Sequence, residues 1–107
     1  MKLIETVQEF PKKHILVIGD LILDEYLFGK INRINPEAPV PVLNVSNNNR
    51  EHRLGGAANT ANNVASLGAK CTVIGQVGND PFKEQMNELF KQANINPFLI
   101  ERNDFTT

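Results

Sequence analysis

The run HILVIGD, residues 14–20, constrains the fold of this chain more than any other stretch. A continuous series of aliphatic and β-branched residues closed by glycine reads as a strand buried on both faces, the kind found in parallel sheets. KCTVIGQVG, residues 70–78, reads as a second buried strand and INPFLIE, 95–101, as a third. Helical patterns lie between them. From Gly56 to Leu67 the apolar spacing is helical, with Ala57, Ala61, Val64 and Gly68 on one face, small enough for close approach to a sheet. Asp80-Pro81 pairs an N-cap with proline at the first helical position, and Phe82, Met86, Leu89, Phe90 and Ala93 form the apolar stripe that follows. Strand, helix, strand, helix, strand predicts an α/β fold with parallel central strands, the run at 14–20 being the first central one.

Two segments depart from that alternation. Leu3, Ile4, Val7 and Phe10 recur at helical spacing and predict a short amphipathic helix stopped by Pro11. Residues 21–46 alternate apolar and polar side chains and carry Pro36, Pro39 and Pro41. Proline removes a ladder donor, so this region suits a small separate sheet rather than the middle of the main one. Two extended pieces are expected, about 21–29 and about 40–46, with polar NNNREHR, 47–53, leading back to the glycines. The expected organisation is a single partial domain over 1–107: an α/β core from 14–20 and 54–107, with about 21–53 as lid strands and connections. Two or three helices can hardly cover both faces of three parallel strands, so a piece of a larger domain is expected.

Bulk properties narrow the partners. Eleven basic residues against twelve acidic ones leave a net charge of -1, which gives no field for nucleic acid or a membrane surface. No apolar run approaches the roughly 20 residues of a membrane span, and MKLIETVQEFPKK lacks the apolar core and cleavage site of a signal peptide. The single cysteine, Cys71, lies in an apolar run and reads as a buried small hydrophobe; with no possible internal disulfide, a reducing cytoplasmic location is expected. Without a secretion signal, Asn44-Val45-Ser46 is a chance glycosylation match.

No hydrolase triad, metal cluster or phosphate P-loop can be assembled from these residues. His14 and His52 stand apart and read as surface or strand-end residues. Chemistry is expected instead where glycine meets a helix start. Gly55-Gly56 precedes a helix whose unpaired N–H groups and positive end face one space, and glycine admits a ligand close to the backbone. Asn59, in the first turn, both donates and accepts hydrogen bonds, which suits a polyhydroxylated ligand; the plain alternative is a glycine turn with ordinary helix-start residues. A second pole is Gly19-Asp20-Leu21-Ile22-Leu23-Asp24, since open α/β sheets bind ligands at the carboxyl ends of their strands. Asp24 offers a carboxylate to hydroxyls, whereas Asp20 is better read as satisfying backbone donors in the turn.

Gly55-Gly56-Ala57-Ala58-Asn59, with Ala61, Gly68 and Gly78 at their spacings and Gly19 five residues before Asp24, resembles the first signature of the ribokinase-like (PfkB) carbohydrate kinases. More narrowly, IGDLILDEYLFGKINRINPEAPVPVLNV followed by RLGGAANTANNVASLGA is similar to the kinase module of the heptose 7-phosphate kinases, which serve ADP-heptose and lipopolysaccharide core synthesis. The resemblance covers about residues 14–94 and implies the N-terminal part of a ribokinase-like fold with a proline-rich β lid that often packs against a second subunit, giving a homodimer. It further implies that Asp24 and Asn59 hold sugar hydroxyls, that the Gly55 and Gly56 backbone lines the sugar pocket, and that Arg33 or Arg53 meets a 7-phosphate. Asp80 remains better read as a helix cap. ATP and Mg²⁺ are implied for the whole kinase, but the family's Gly-Ala-Gly-Asp helix start and nucleotide-binding region are absent, so this chain alone is expected to be inactive. The competing expectation is a non-catalytic sugar-binding or dimerisation module; a nucleotide-binding Rossmann half is disfavoured, because no GxGxxG follows the first strand.

Overall fold

The computed structural model describes residues 2–34 and 41–107, and the side chains of these residues outside 29–49. The elements in chain order are α1 (Leu3–Gln8), a 3-10 turn (Phe10–Lys12), β1 (His14–Ile18), β2 (Leu21–Ile34), β3 (Pro41–Gly56), α2 (Ala57–Ser66), β4 (Lys70–Gly78), α3 (Pro81–Gln92) and β5 (Ile95–Arg102). They divide into two compact units: Met1–Leu23 with Leu54–Thr107, and Asp24–Arg53.

The first unit is built on a three-stranded sheet in the order β1-β4-β5. Both pairings are parallel, in a register that sets Val17 beside Val73 and Ile74 beside Phe98. Strand side chains alternate between faces, and here the two faces differ. Cys71, Val73 and Val77 point to one side, where they are buried with Ala58 and Ala61 of α2, Met86 and Phe90 of α3, and Ile95. Small alanines let α2 lie close to β4, as its sequence predicts, although Ala58 and Ala61, not Ala57, are the fully buried pair. On the opposite side Leu16, Ile18, Phe98 and Ile100 are 54, 70, 66 and 47% exposed. The core is therefore one-sided.

That asymmetry corrects the reading of β1 as a central strand buried on both faces. Among the described residues it pairs only with β4, at the edge of the sheet, and Val17 alone among its residues is partly buried. The sequence pattern reports what a strand is suited to contact; among the described residues no helix lies over Leu16 and Ile18 to supply that contact. The apolar residues of α1 are likewise exposed, Leu3 at 86% and Ile4 at 66%. Pro11 sits in the 3-10 turn that follows α1, where the expected helix stops.

The helix that follows β4 begins as expected. Asp80 caps α3 by accepting from Lys83 N at 3.1 Å, Pro81 occupies the first position, and Met86 and Phe90 are its fully buried residues. Cys71 is buried and its thiol is pushed up by desolvation, which suits a packing residue rather than a reactive one. His14, at the start of β1, bonds Thr72 across the sheet at 2.7 Å.

The second unit holds most of β2 and β3, which pair as a two-stranded sheet. Its strands run longer than the expected pieces, and the polar run at 47–53 is strand, not connection. Side-chain pairing explains why a stretch without apolar alternation stays extended. Arg50 reaches Glu25 at 2.8 Å, with His52 3.8 Å from the same carboxylate. Cross-strand pairs of opposite charge favour such a ladder. The proline-rich turn at 35–40, with Pro36 and Pro39, lies outside the described residues, as do the side chains of Pro41, Val42 and Val45.

Candidate functional site

In the first unit, the glycine pair stands where β3 passes into α2. Gly55 is buried and Gly56 has φ 58°, ψ −133°, a conformation that essentially only glycine adopts. The next residue ties the helix to the sheet: Ala57 N donates to Asp20 O at 2.8 Å, so the start of α2 is fastened to the turn after β1. A Cβ on Gly56 would lie 2.5 Å from that same Asp20 carbonyl and 3.0 Å from Ile22. The close approach that demands glycine here is thus made by the chain's own backbone. It sets the free end of α2, carrying exposed Asn59, beside the carboxyl end of β1.

At that end of the sheet lies an open cleft of about 770 Å³. Its walls are Ile18 to Leu23 on one side, Ile74, Gly75 and Gln76 beneath, and Ile100 with Phe105, Thr106 and Thr107 on the other. Gly75 is required in its floor, because a Cβ there would overlap the Leu21 side chain. Sequence reasoning located Gly19 and Asp20 at this strand end but missed Gln76 and the 105–107 segment. Gln76 carries a readable signal, as a polar residue near the carboxyl end of β4 on the face away from the core; the threonines at 106 and 107 carry none, since only tertiary folding brings them here.

The 105–107 segment is held by the β4–α3 junction. Gly78 N donates to Thr107 Oγ1 at 2.8 Å and Thr107 N donates to Asp80 Oδ2 at 2.8 Å. These bonds, the Thr107 backbone donor first among them, draw the Asp80 carboxyl below the usual carboxylate range, with Lys83 N and Phe82 N adding to it. A folded pKa below the unfolded value of about 3.9 means that Asp80 stabilises fully above that value and is lost only as pH falls through the folded pKa. An NMR titration of the Asp80 carboxyl carbon is expected to place its midpoint below the ordinary aspartate value of about 3.9. A midpoint at or above that value would remove this account of the junction.

In the second unit, Asp24 and Glu25 are exposed near its start. Arg53 donates from Nε and Nη2 to Glu51, each at 3.1 Å, and its guanidinium lies 4.6 Å from the centre of the Tyr26 ring. Its pKa is raised, chiefly by the hydrogen bond to Glu51. A phosphate approaching Arg53 would have to share that fork with Glu51. The Arg33 side chain lies outside the described residues.

Among the described residues, no group of three or more His, Cys, Asp or Glu side chains converges as metal ligands do. Among them also, no helix is long and apolar enough to cross a membrane.

The profile described as "pfkB family carbohydrate kinase" matches residues 12–107. The chain is 47% identical over 89 residues to "Bifunctional protein HldE" of Hydrogenovibrio crunogenus, covering 83% of this chain and 18% of that protein. It is 43% identical over 100 residues to "D-beta-D-heptose 7-phosphate kinase" of Bordetella bronchiseptica, covering 94% of this chain and 31% of that one. The chain thus spans less than a third of the length of either relative. Among solved structures, a carbohydrate kinase from Agrobacterium tumefaciens superposes with a TM-score of 0.70 at 26% identity, over 89% of this chain and 29% of that chain.

Proposed function

This chain belongs to the pfkB family of carbohydrate kinases, and we propose that it forms the sugar-binding and lid portion of an ATP-dependent heptose 7-phosphate kinase. The reaction is transfer of the γ-phosphate to the anomeric hydroxyl, in the route to ADP-heptose and lipopolysaccharide core, in the cytoplasm. The observation that carries this reading is the bond from Ala57 N to Asp20 O, which brings the Gly55-Gly56…Asn59 helix start to the carboxyl end of the parallel sheet. Ligands of open α/β sheets gather at that end.

In this reading Asp24 accepts from sugar hydroxyls and Asn59 both donates and accepts, so that one sugar face is held by partners of both kinds. The Gly55 and Gly56 backbone lines the sugar pocket, and Arg33 or Arg53 meets the 7-phosphate, Arg53 by exchanging its Glu51 partner. The β2–β3 sheet serves as the lid and as the surface through which two copies of the parent protein pair; light scattering of the parent distinguishes dimer from monomer. ATP and Mg²⁺ supply the phosphoryl group and charge neutralisation in the whole enzyme. Because the family's Gly-Ala-Gly-Asp helix start does not occur in these 107 residues, the chain alone is expected to show no ATP-dependent phosphorylation of heptose 7-phosphate.

The test of the pocket is made in the parent protein. A hydrogen bond to a charged group contributes about 1.5 to 3 kcal/mol, so Asp24→Ala is expected to weaken heptose 7-phosphate binding by roughly tenfold to a hundredfold. Asn59→Ala should weaken it by about tenfold, with circular dichroism melts separating this from lost helix capping. Affinity unchanged in both variants would refute the pocket, and phosphorylation by the 107-residue chain would refute its reading as a partial site.

A further inference from the structure

Capping α3 needs only one oxygen, and Asp80 uses Oδ1 for it, accepting from Lys83 N. Its second oxygen is also engaged, by Thr107 N. The same threonine closes a small ring of contacts by accepting, through Oγ1, from the backbone N–H of buried Gly78. The segment passes so near that a Cβ on Gly78 would collide with Phe105 O. Phe105, Thr106 and Thr107 in turn form the wall of the cleft opposite Gly19 and Asp20. We infer that Asp80 is a positioning residue, whose second carboxylate oxygen holds the 105–107 segment in place as one wall of the cleft.

The inference about the wall stands apart from the identity of the ligand, while its effect on sugar binding rests on the proposed function. A plain cap would be served as well by asparagine, which ranks with aspartate at this position. The strap would not. Asparagine has one acceptor where aspartate has two, and its amide group is a donor. In the wild type each oxygen serves one donor, Oδ1 the Lys83 N of the cap and Oδ2 the Thr107 N of the strap, and the cap geometry is the one asparagine also satisfies. Asp80→Asn therefore keeps the cap and sets a donor against a donor at Thr107, whereas Asp80→Ala loses both bonds.

Amide hydrogen exchange resolved by residue tests this on the 107-residue chain. In Asp80→Asn, exchange at Thr107 N is expected to quicken about tenfold or more while Lys83 N stays near wild type. In Asp80→Ala both should quicken. Gly78→Ala attacks the same contact from the other side: its Cβ would crowd both Phe105 O and Asp80 Oδ2, so Thr107 N is expected to be exposed while the Oδ1 cap at Lys83 N is kept. In the parent kinase, Asp80→Asn is expected to raise KM for heptose 7-phosphate several-fold, with a smaller fall in melting temperature than Asp80→Ala, which loses the cap as well. Wild-type protection of Thr107 in Asp80→Asn overturns the strap, and an unmoved KM in a variant that has lost the protection overturns its role in the cleft. Should the wild-type parent fail to bind heptose 7-phosphate, the proposed function is what fails, and the exchange result still decides whether Asp80 holds the segment.

Discussion

Gly56→Ala is expected to destabilise the first unit by about 3 kcal/mol, a large share of the 5 to 15 kcal/mol typical of a whole domain. Two costs combine. The backbone at φ 58°, ψ −133° is one that a side chain tolerates poorly, and the added methyl would stand 2.5 Å from Asp20 O. Relief requires α2 to withdraw from β1, which breaks the Ala57–Asp20 bond as well. Urea denaturation measures the loss as a lower midpoint at unchanged slope. Gly19→Ala is the control, since its Cβ would meet only the Ala57 methyl, at 3.1 Å. If the two variants were equally stable, the junction would not be the tight point described.

Phe90→Ala should cost more, about 3 to 5 kcal/mol, because the ring is fully buried and its removal leaves a cavity among Met86, Val73 and Val77. Phe98→Ala gives the contrast. It deletes the same ring from the opposite face of the sheet, where the side chain is 66% exposed, and should cost less than about 1 kcal/mol. Comparing the two by denaturant midpoint at several protein concentrations tests the one-sided core. A Phe98 cost that grows with concentration would show that copies of the chain cover that face in solution.

Much of this architecture is legible in the residues. The three apolar runs give the strands of the parallel sheet, and the Asp80-Pro81 pair marks the start of α3 within a residue. Burial is less legible. HILVIGD describes a strand suited to two covered faces, and pattern alone does not say which faces find cover. The polar run at 47–53 does not read as strand, because its extended state rests on charge pairs such as Arg50 with Glu25, which leave no apolar alternation. In the site, the Gly55-Gly56 junction could be located by type and spacing. What Gly56 touches could not, since Asp20 O is brought to it by folding. Arg53 shows the same limit: its charge is visible in the sequence, while its engagement by Glu51 and Tyr26 is not.

The second unit interrupts the first, which is left at Leu23 and resumed at Leu54. That arrangement bears on the order of folding. Pairing His14 with Lys70 closes a long loop before any contact in the parallel sheet is gained, and such non-local closure slows folding. The β2–β3 ladder, by contrast, is local in sequence. If it zips first, it draws residues 24 and 53 together and turns a long flexible loop into a short effective one, saving about 0.6 kcal/mol of entropy for each halving of its length. The inserted sheet then acts as a splint for the register of β1 on β4. Weakening the Arg50–Glu25 pair would accordingly slow refolding of the sheet more than it speeds unfolding.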